Sequence, residues 1–194
     1  MSFQFIVETS ARHVHLTAEA FAVLFGEGKE LTVKKMLSQP GQFASEERVT
    51  IVGPKKELPN VSILGPFRSA NQVELSATDA RSIGIAAPIR ESGDVAGSGA
   101  CKIVGPAGEL EISEGVIVAK RHIHFTPEDA EKCGVKAQGY CLGSCRNRRQ
   151  KGNFGTTLSV VYLPTMQLQC TLDTDESNAI AAPRSLMGEI VSVD

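Results

Sequence analysis

The chain carries one sequence pattern twice, and this duplication limits the folds that it can adopt. The first copy occupies positions 12–15 with the letters RHVH, and the second occupies positions 121–124 with the letters RHIH. In both copies a hydrophobic residue and then a threonine follow, which is typical of a short strand that leads into the N-cap of a helix. In the second copy Pro127 follows the threonine and suits the first helical position. A strand–helix unit that occurs twice predicts a pseudo-symmetric fold.

The four histidines of the chain all lie in these two copies. Alternate residues of a strand point to the same face, so His13 with His15, and His122 with His124, would each present two imidazoles side by side. Two imidazoles at this spacing are a common pair of zinc ligands. Four such ligands could hold one closed metal site, or two open sites if carboxylates complete them. The alternative is a set of strand histidines with local hydrogen bonds, but a duplication that uses every histidine favours metal binding.

The composition favours a protein of the reducing cytosol, with one large or two small domains. Hydrophobic residues make up 42% of the 194 residues, which is enough for real cores. The net charge of −2 offers no electrostatic basis for binding nucleic acid. No apolar run approaches the roughly 20 residues that cross a membrane, and the N-terminus has no basic region or cleavage site of a secretory signal. The five cysteines, an odd number without a disulfide spacing, fit a cytoplasmic location.

Short β-type segments dominate the rest of the chain, so the sequence predicts a mainly β fold with short helices rather than an α/β sheet. The N-terminus reads as a first strand. Further strands are predicted at Val49–Val52, Val61–Leu64, Gln72–Leu75, Lys102–Val104, Val116–Lys120, Leu158–Tyr162 and Leu168–Leu172. Helices are predicted at Ala18–Phe25, Leu31–Leu37, Thr78–Ile83 and Pro127–Lys132.

Several segments, read together, resemble one family, the phosphate propanoyltransferases of bacterial microcompartments and their relatives that make acetyl phosphate. The similarity runs in order from about residue 7 to about residue 180. The matching segments are residues 10–16, 37–44, 64–68, 72–76, 87–94, 114–124 and 172–179.

The resemblance implies two β-barrel domains with short capping α-helices, interleaved in sequence and pseudo-symmetric. On that basis we expect residues 1–45 and 115–194 to form a first, discontinuous barrel and residues 46–114 to form a second. It also implies a homodimer that interconverts acyl-CoA plus phosphate with acyl phosphate plus coenzyme A, where the acyl group is propanoyl or acetyl. Because the first His-x-His begins at position 13, we expect no N-terminal extension for targeting to a microcompartment, and therefore a cytoplasmic enzyme.

The resemblance further implies an active site with two zinc ions. Carried over by position, His13, His15 and Glu74 look like the ligands of one zinc ion, and His122 and His124 like ligands of the other. Arg68 looks like the phosphate-binding arginine, and Ser10 lies where the family offers phosphate another polar contact. This assignment suits the chemistry, since two metal ions and a guanidinium can desolvate and orient a phosphate nucleophile.

Each of the residues outside the histidine pairs also has a plain structural interpretation. Arg68 could be a solvated turn residue, and Glu74 could lie on an edge strand with its carboxylate in water. Asp173 and Glu176 have the spacing of a helix-capping pair, which we take as structural, with a contact to a metal ligand possible.

One departure from the family stands out. The family carries a histidine that binds the second zinc just before the segment DTDE, and here that position is Thr171. A neutral hydroxyl is a poor zinc ligand, so we expect a weakened or lost second site. Cys170 is a better ligand type, but on a regular strand its side chain points to the opposite face. Two alternatives therefore stay open: a single-zinc paralogue with little activity, and a zinc-dependent hydrolase of thioesters or phosphate esters.

Overall fold

The structure, a computed structural model, describes residues 3–10, 12–136, 140–147, 152–162, 168–182 and 186–193. The strands are β1 (Gln4–Ser10), β2 (His13–His15), β3 (Val33–Met36), β4 (Phe43–Val52), β5 (Glu57–Gly65), β6 (Gln72–Glu74), β7 (Ile89–Arg90), β8 (Gly99–Val104), β9 (Glu109–Ala119), β10 (His122–Phe125), β11 (Tyr140–Asn147), β12 (Gly152–Tyr162), β13 (Gln169–Asp173) and β14 (Leu186–Val193). The helices are α1 (Ala18–Phe25), α2 (Ala77–Ile83), α3 (Pro127–Cys133) and α4 (Thr174–Ala179). The fold is mainly β, as the sequence predicts. Within these described ranges, no helix is long and apolar enough to cross a membrane.

The chain divides into two compact units. We call Ala11–Ala119 the middle unit, and Met1–Ser10 with Lys120–Asp194 the terminal unit. The terminal unit contains a closed barrel with the strand order β1-β13-β10-β12-β11-β14. The middle unit contains a sheet with the order β3-β4-β5-β2-β6-β9-β7, which curls because β8 pairs with both β4 and β9.

The strand pairings of the two units repeat one pattern. In the middle unit β9 pairs parallel with β6, β6 antiparallel with β2, and β2 parallel with β5. In the terminal unit β1 pairs parallel with β13, β13 antiparallel with β10, and β10 parallel with β12. The helices repeat the same order, because α1 and α3 come after the His-x-His strands while α2 and α4 come after β6 and β13. The duplicated sequence therefore folds into two similar units, which confirms the expected pseudo-symmetry.

The unit boundaries differ from those expected. Residues 11–45 and 115–119, which we expect from the resemblance in the discontinuous barrel, lie in the middle unit. The reason is strand pairing: β2 lies between β5 and β6, and β9 pairs with β6 and β8. Only β1, which ends at Ser10, leaves the first repeat and joins the terminal barrel.

Each unit has a hydrophobic core of its own. The core of the middle unit is built around the buried residues Val14, Phe21, Ile63 and Val73, among others. The core of the terminal unit is built around Phe5, Ile123, Phe125 and Leu172, among others. In β2 and β10 the central Val14 and Ile123 have no exposed surface. Because strand residues alternate, the histidines on either side of these residues point to the opposite face of the sheet.

The predicted elements are found at their expected places with one error. The predicted strands coincide with parts of β4, β5, β6, β8, β9, β12 and β13, and α1 has the predicted bounds. The segment Leu31–Leu37, predicted as a helix, contains β3 instead. Its exposed residues pair with β4, where Lys34 forms an ion pair of 3.3 Å with Glu46. Pairing with a neighbouring strand overrides a local helical pattern that has no core to cover.

The helices begin with side-chain caps. Thr17 Oγ1 accepts a hydrogen bond from the Ala20 amide, and Thr126 Oγ1 accepts one from the Asp129 amide. Pro127 occupies the first turn of α3, as predicted. Thr17 and Thr126 therefore end the two His-x-His strands in the same way, which sets the direction of the chain immediately after each histidine pair.

Two Gly-Pro turns pack against the ends of the first two helices. Between β4 and β5, the amide of Lys55 donates to the Ile83 carbonyl at the end of α2, 2.9 Å away. Between β8 and β9, the amide of Ala107 donates to the Leu24 carbonyl of α1 at the same distance. A Cβ atom on Gly53 would lie 2.4 Å from the Ile83 carbonyl oxygen, so only glycine allows this approach.

We expect Gly53→Ala to lower the free energy of unfolding by about 1–3 kcal/mol, because the added methyl group forces the turn away from α2. Urea denaturation followed by circular dichroism measures this change. Lys56→Ala is the control, since Lys56 is exposed in the same turn. A Gly53→Ala protein as stable as this control would contradict the steric argument.

Candidate functional site

The middle unit brings together three of the predicted metal ligands. His13 on β2 lies directly opposite Glu74 on β6. Nε2 of His13 is 3.4 Å from one carboxylate oxygen of Glu74, and Nε2 of His15 is 3.8 Å from the other. One ligand atom from each residue lies within 4.8 Å of the others, and all three residues are buried. Glu74 is therefore on an inner strand and not on a solvated edge.

The surroundings of His15 and Glu74 keep these two groups in the protonation state that binds a metal. Burial first, and then the neighbouring charges of His13 and Arg68, lower the pKa of His15 to about 3. Its imidazole is therefore neutral at pH 7. Burial alone raises the pKa of Glu74, but the charge and hydrogen bond of His13 outweigh it, so that the net pKa is well below the ordinary value. A neutral imidazole on His15 and an ionised carboxylate on Glu74 are the forms in which these groups coordinate a metal.

Gln72 and Ser92 hold the Glu74 carboxylate in place. Nε2 of Gln72 donates to Oε1 of Glu74 at 2.6 Å, and the Ser92 hydroxyl lies 3.1 Å from the same oxygen. The Gln72 side chain also accepts from the Gly93 amide at 2.7 Å, which fixes the segment that carries Ser92. The sequence reasoning missed both residues. Gln72 was detectable as the residue two before Glu74 on one strand face, whereas nothing in the sequence around Ser92 indicates that its hydroxyl contacts Glu74.

Arg68 joins the same group. Its guanidinium donates to the Ser92 hydroxyl at 3.1 Å, and its backbone amide donates to the Leu16 carbonyl at 2.9 Å. Burial lowers the pKa of Arg68 and the Glu74 charge opposes this, but an arginine remains protonated at any physiological pH. Arg68 is thus a half-buried cation beside the histidine–glutamate cluster, and not a solvated turn residue.

The terminal unit presents the second histidine pair in a similar way. Nδ1 of His122 lies 2.8 Å from the Lys120 carbonyl, which can only accept, so Nδ1 carries a proton and Nε2 points away from this carbonyl. The two Nε2 atoms of His122 and His124 are 3.1 Å apart. Burial first, and then His122, lower the pKa of His124 to about 4. The His124 imidazole is therefore neutral at pH 7, and the Nε2 atoms of the two rings lie side by side.

The neighbouring strand β13 shows which side chains lie beside this histidine pair. On β13, Thr171 lies opposite His122, and Gln169 lies opposite His124. Cys170 points into the core of the terminal unit, with 1% of its surface exposed, and its register shows no bulge. Cys170 therefore does not replace the missing histidine. Ser10, at the end of β1, is half-buried and lies beside Asp173.

Asp173 and Glu176 form the predicted capping pair at the start of α4. Oδ1 of Asp173 accepts from the Glu176 amide at 2.8 Å, and Oε2 of Glu176 accepts from the Asp173 amide at 3.2 Å. Glu176 also forms an ion pair of 2.6 Å with Arg121. In the middle unit Arg12 forms the equivalent pair with Asp79 of α2, at 3.2 Å. These ion pairs anchor the residue before each histidine pair to a helix of the same unit.

The donor set in each unit is compatible with a metal ion. Bonds of about 2.0 Å in tetrahedral geometry place neighbouring ligand atoms about 3.3 Å apart. The distances of 3.4 Å and 3.8 Å around Glu74, and of 3.1 Å between the paired Nε2 atoms in the terminal unit, are close to that value. His13, His15 and Glu74 would hold a metal in the middle unit, and His122 with His124 would contribute two ligands in the terminal unit.

Comparison with known proteins agrees with these features. The family model described as phosphate propanoyltransferase matches residues 6–183. The phosphate propanoyltransferase of Thermotoga maritima is 48% identical, over 90% of this chain and 82% of its own. The phosphate propanoyltransferase of Priestia megaterium is 50% identical, over 88% of this chain and 77% of its own. That of Escherichia fergusonii is 47% identical, over 89% of this chain and 81% of its own. With the family model covering most of its length, the chain belongs to the phosphate propanoyltransferase family.

Proposed function

We propose that this enzyme, a phosphate acyltransferase by its family, interconverts propanoyl-CoA or acetyl-CoA and phosphate with the acyl phosphate and coenzyme A. We further propose that it does so with zinc held by His13, His15 and Glu74. The observation that carries the proposal is the buried cluster of these three residues with the Arg68 guanidinium beside it. The family supplies the substrate class, acyl-CoA and phosphate.

In the proposed reaction a phosphate oxygen attacks the carbonyl carbon of the thioester. The new C–O bond forms, the C–S bond breaks, and coenzyme A leaves with the sulfur electron pair and takes up a proton. Bound zinc would supply a positive charge that binds phosphate oxygens and would keep a coordination position open, since three protein ligands converge among the described residues of the middle unit. Phosphate itself is the nucleophile, so the proposal needs no covalent acyl-enzyme.

Arg68 is proposed to bind and orient the phosphate. A guanidinium is planar and grips two oxygens of one phosphate at once, which a lysine ammonium does not do. Its contact with the Ser92 hydroxyl points it at the side of the cluster where that hydroxyl also meets Glu74. Arg68 therefore places a fixed positive charge beside the proposed metal ligands, where a dianionic substrate would lie.

The terminal unit is proposed to hold a second zinc ion through His122 and His124, with Ser10 as a further polar contact for phosphate. A homodimer and a cytoplasmic location belong to the same proposal. Light scattering during gel filtration tests the dimer, for which we expect a molecular mass of about twice the 20.7 kDa of one chain.

The release of coenzyme A from propanoyl-CoA and acetyl-CoA, measured with and without phosphate, tests the proposed function. We expect release that depends on phosphate, with acyl phosphate trapped as the hydroxamate. Release without phosphate would indicate a hydrolase instead. No release, with one zinc ion per chain, would favour a paralogue of low activity, the alternative that Thr171 raises.

A further inference from the structure

We propose that Glu8 supplies a third protein ligand to the metal at His122 and His124, in place of the residue that Thr171 fails to provide. This inference rests on the proposed function, because it assumes that the terminal unit binds a metal. It concerns a residue outside every segment that the family resemblance marked as part of the site.

The two histidine pairs face equivalent strands in the same register. In the middle unit His13 is opposite Glu74, and His15 is opposite Gln72. In the terminal unit His122 is opposite Thr171, and His124 is opposite Gln169. Gln169 is thus the counterpart of Gln72, and Thr171 is the counterpart of Glu74. The pseudo-symmetry therefore locates where the terminal unit lacks a carboxylate.

Both glutamines nevertheless donate a hydrogen bond to a glutamate. Nε2 of Gln72 lies 2.6 Å from Oε1 of Glu74. Nε2 of Gln169 lies 2.7 Å from Oε2 of Glu8. Each glutamine is buried and lies opposite the second histidine of its pair. Glu8 therefore has the same relation to Gln169 that a metal-ligand candidate has to Gln72.

The position of Glu8 allows its carboxylate to reach the histidines. In the parallel pair of β1 and β13, Glu8 is the direct neighbour of Thr171, so their side chains share one face of the sheet. Strands lie about 4.8 Å apart, which puts the Cα atoms of Glu8 and His122 roughly 10 Å from each other. The hydrogen bond to Gln169 shows that the carboxylate already leans over β13 toward β10. Thr171, the residue between them, has a short side chain.

The middle unit shows the reverse arrangement. The residue of β9 that corresponds to Glu8 is Ile117, which pairs with Glu74 and has no exposed surface. At these paired positions each unit thus has one glutamate, on the inner strand in the middle unit and on the adjacent strand in the terminal unit. The terminal site becomes two histidines and one glutamate, with the same ligand types and charge as the middle site. Three protein ligands again leave one position open, as catalytic zinc sites require.

Zinc binding by the intact protein tests this proposal. Protein stripped by a chelator is titrated with Zn²⁺, and the bound zinc per chain is counted by mass spectrometry after gel filtration. Co²⁺ titration with visible absorption reports the ligands independently. We expect two zinc ions per wild-type chain. In Glu8→Gln we expect one ion to be retained and the other to bind at least about 10- to 100-fold more weakly.

Two further variants make the result specific to Glu8. Glu131→Gln changes an exposed glutamate of the terminal unit and should keep both ions. Glu8→Gln combined with Thr171→His restores an imidazole at the position that the family uses. We expect this double variant to recover the second ion, which would also show that the loss in Glu8→Gln is not a failure to fold.

Three outcomes would overturn the proposal. If Glu8→Gln binds two zinc ions as tightly as wild type, Glu8 is not a ligand, while the proposed function is unaffected. If the wild-type chain binds one ion, and Glu74→Gln removes it, the terminal unit holds no metal. If the wild-type chain binds no zinc but still releases coenzyme A in the presence of phosphate, the metal assignments fail and the transferase activity does not.

Discussion

Glu74→Gln is expected to lower the turnover of the transferase by at least about 100-fold and to remove one zinc ion per chain. The carboxylate lies 3.4 Å and 3.8 Å from the two imidazoles, and no other carboxylate of the described residues forms a metal-type cluster with them. Glutamine keeps the size of the side chain and the hydrogen-bond acceptor but loses the negative charge. A neutral amide is a much weaker zinc ligand. Loss of even a residue that supports a ligand typically costs 10- to 100-fold, so loss of a ligand should cost at least as much.

Zinc content and the phosphate-dependent release of coenzyme A are measured on the same protein sample. Glu57→Gln is the matched control, because Glu57 is exposed at the start of β5 in the same unit. The control should keep full zinc and full activity. A Glu74→Gln protein with both properties intact would show that the cluster is not a metal site of this enzyme.

Arg68→Lys is expected to raise the KM for phosphate at least about 10-fold and to leave the KM for acyl-CoA close to that of wild type. Lysine keeps the positive charge, so a purely electrostatic role would survive the change. A bidentate contact with phosphate would not, because an ammonium cannot present two parallel N–H groups. Lysine also cannot hold the contact with the Ser92 hydroxyl in the same plane. The expected change corresponds to about 1.4 kcal/mol of phosphate binding.

Initial rates measured over a series of phosphate concentrations, at saturating acyl-CoA, separate the effect on KM from the effect on kcat. Arg81→Lys serves as the control, since Arg81 is exposed on α2 in the same unit. An unchanged phosphate KM in Arg68→Lys would exclude a bidentate role for the guanidinium.

Much of the local structure could be predicted from the sequence because it depends on neighbouring residues. The alternation of His13 and His15 around Val14 predicts a strand with both histidines on one face, and Thr17 and Thr126 predict helix starts. The helix predicted around β3 was wrong because the local pattern there is helical, whereas the strand conformation comes from pairing with β4. Local patterns describe an element well only when no distant partner competes with them.

The histidine pairs and the duplication were determined by the sequence alone, since all four histidines lie in two equivalent segments. The tertiary structure decided which residues meet them. Glu74 opposes His13 because β6 pairs with β2, and Glu8 neighbours Thr171 because β1 joins the terminal unit. Gln72 and Ser92 meet at Glu74 by the same kind of long-range pairing. Such contacts follow from the register of strands far apart in the chain, which is set when each sheet assembles and leaves no local trace in the sequence.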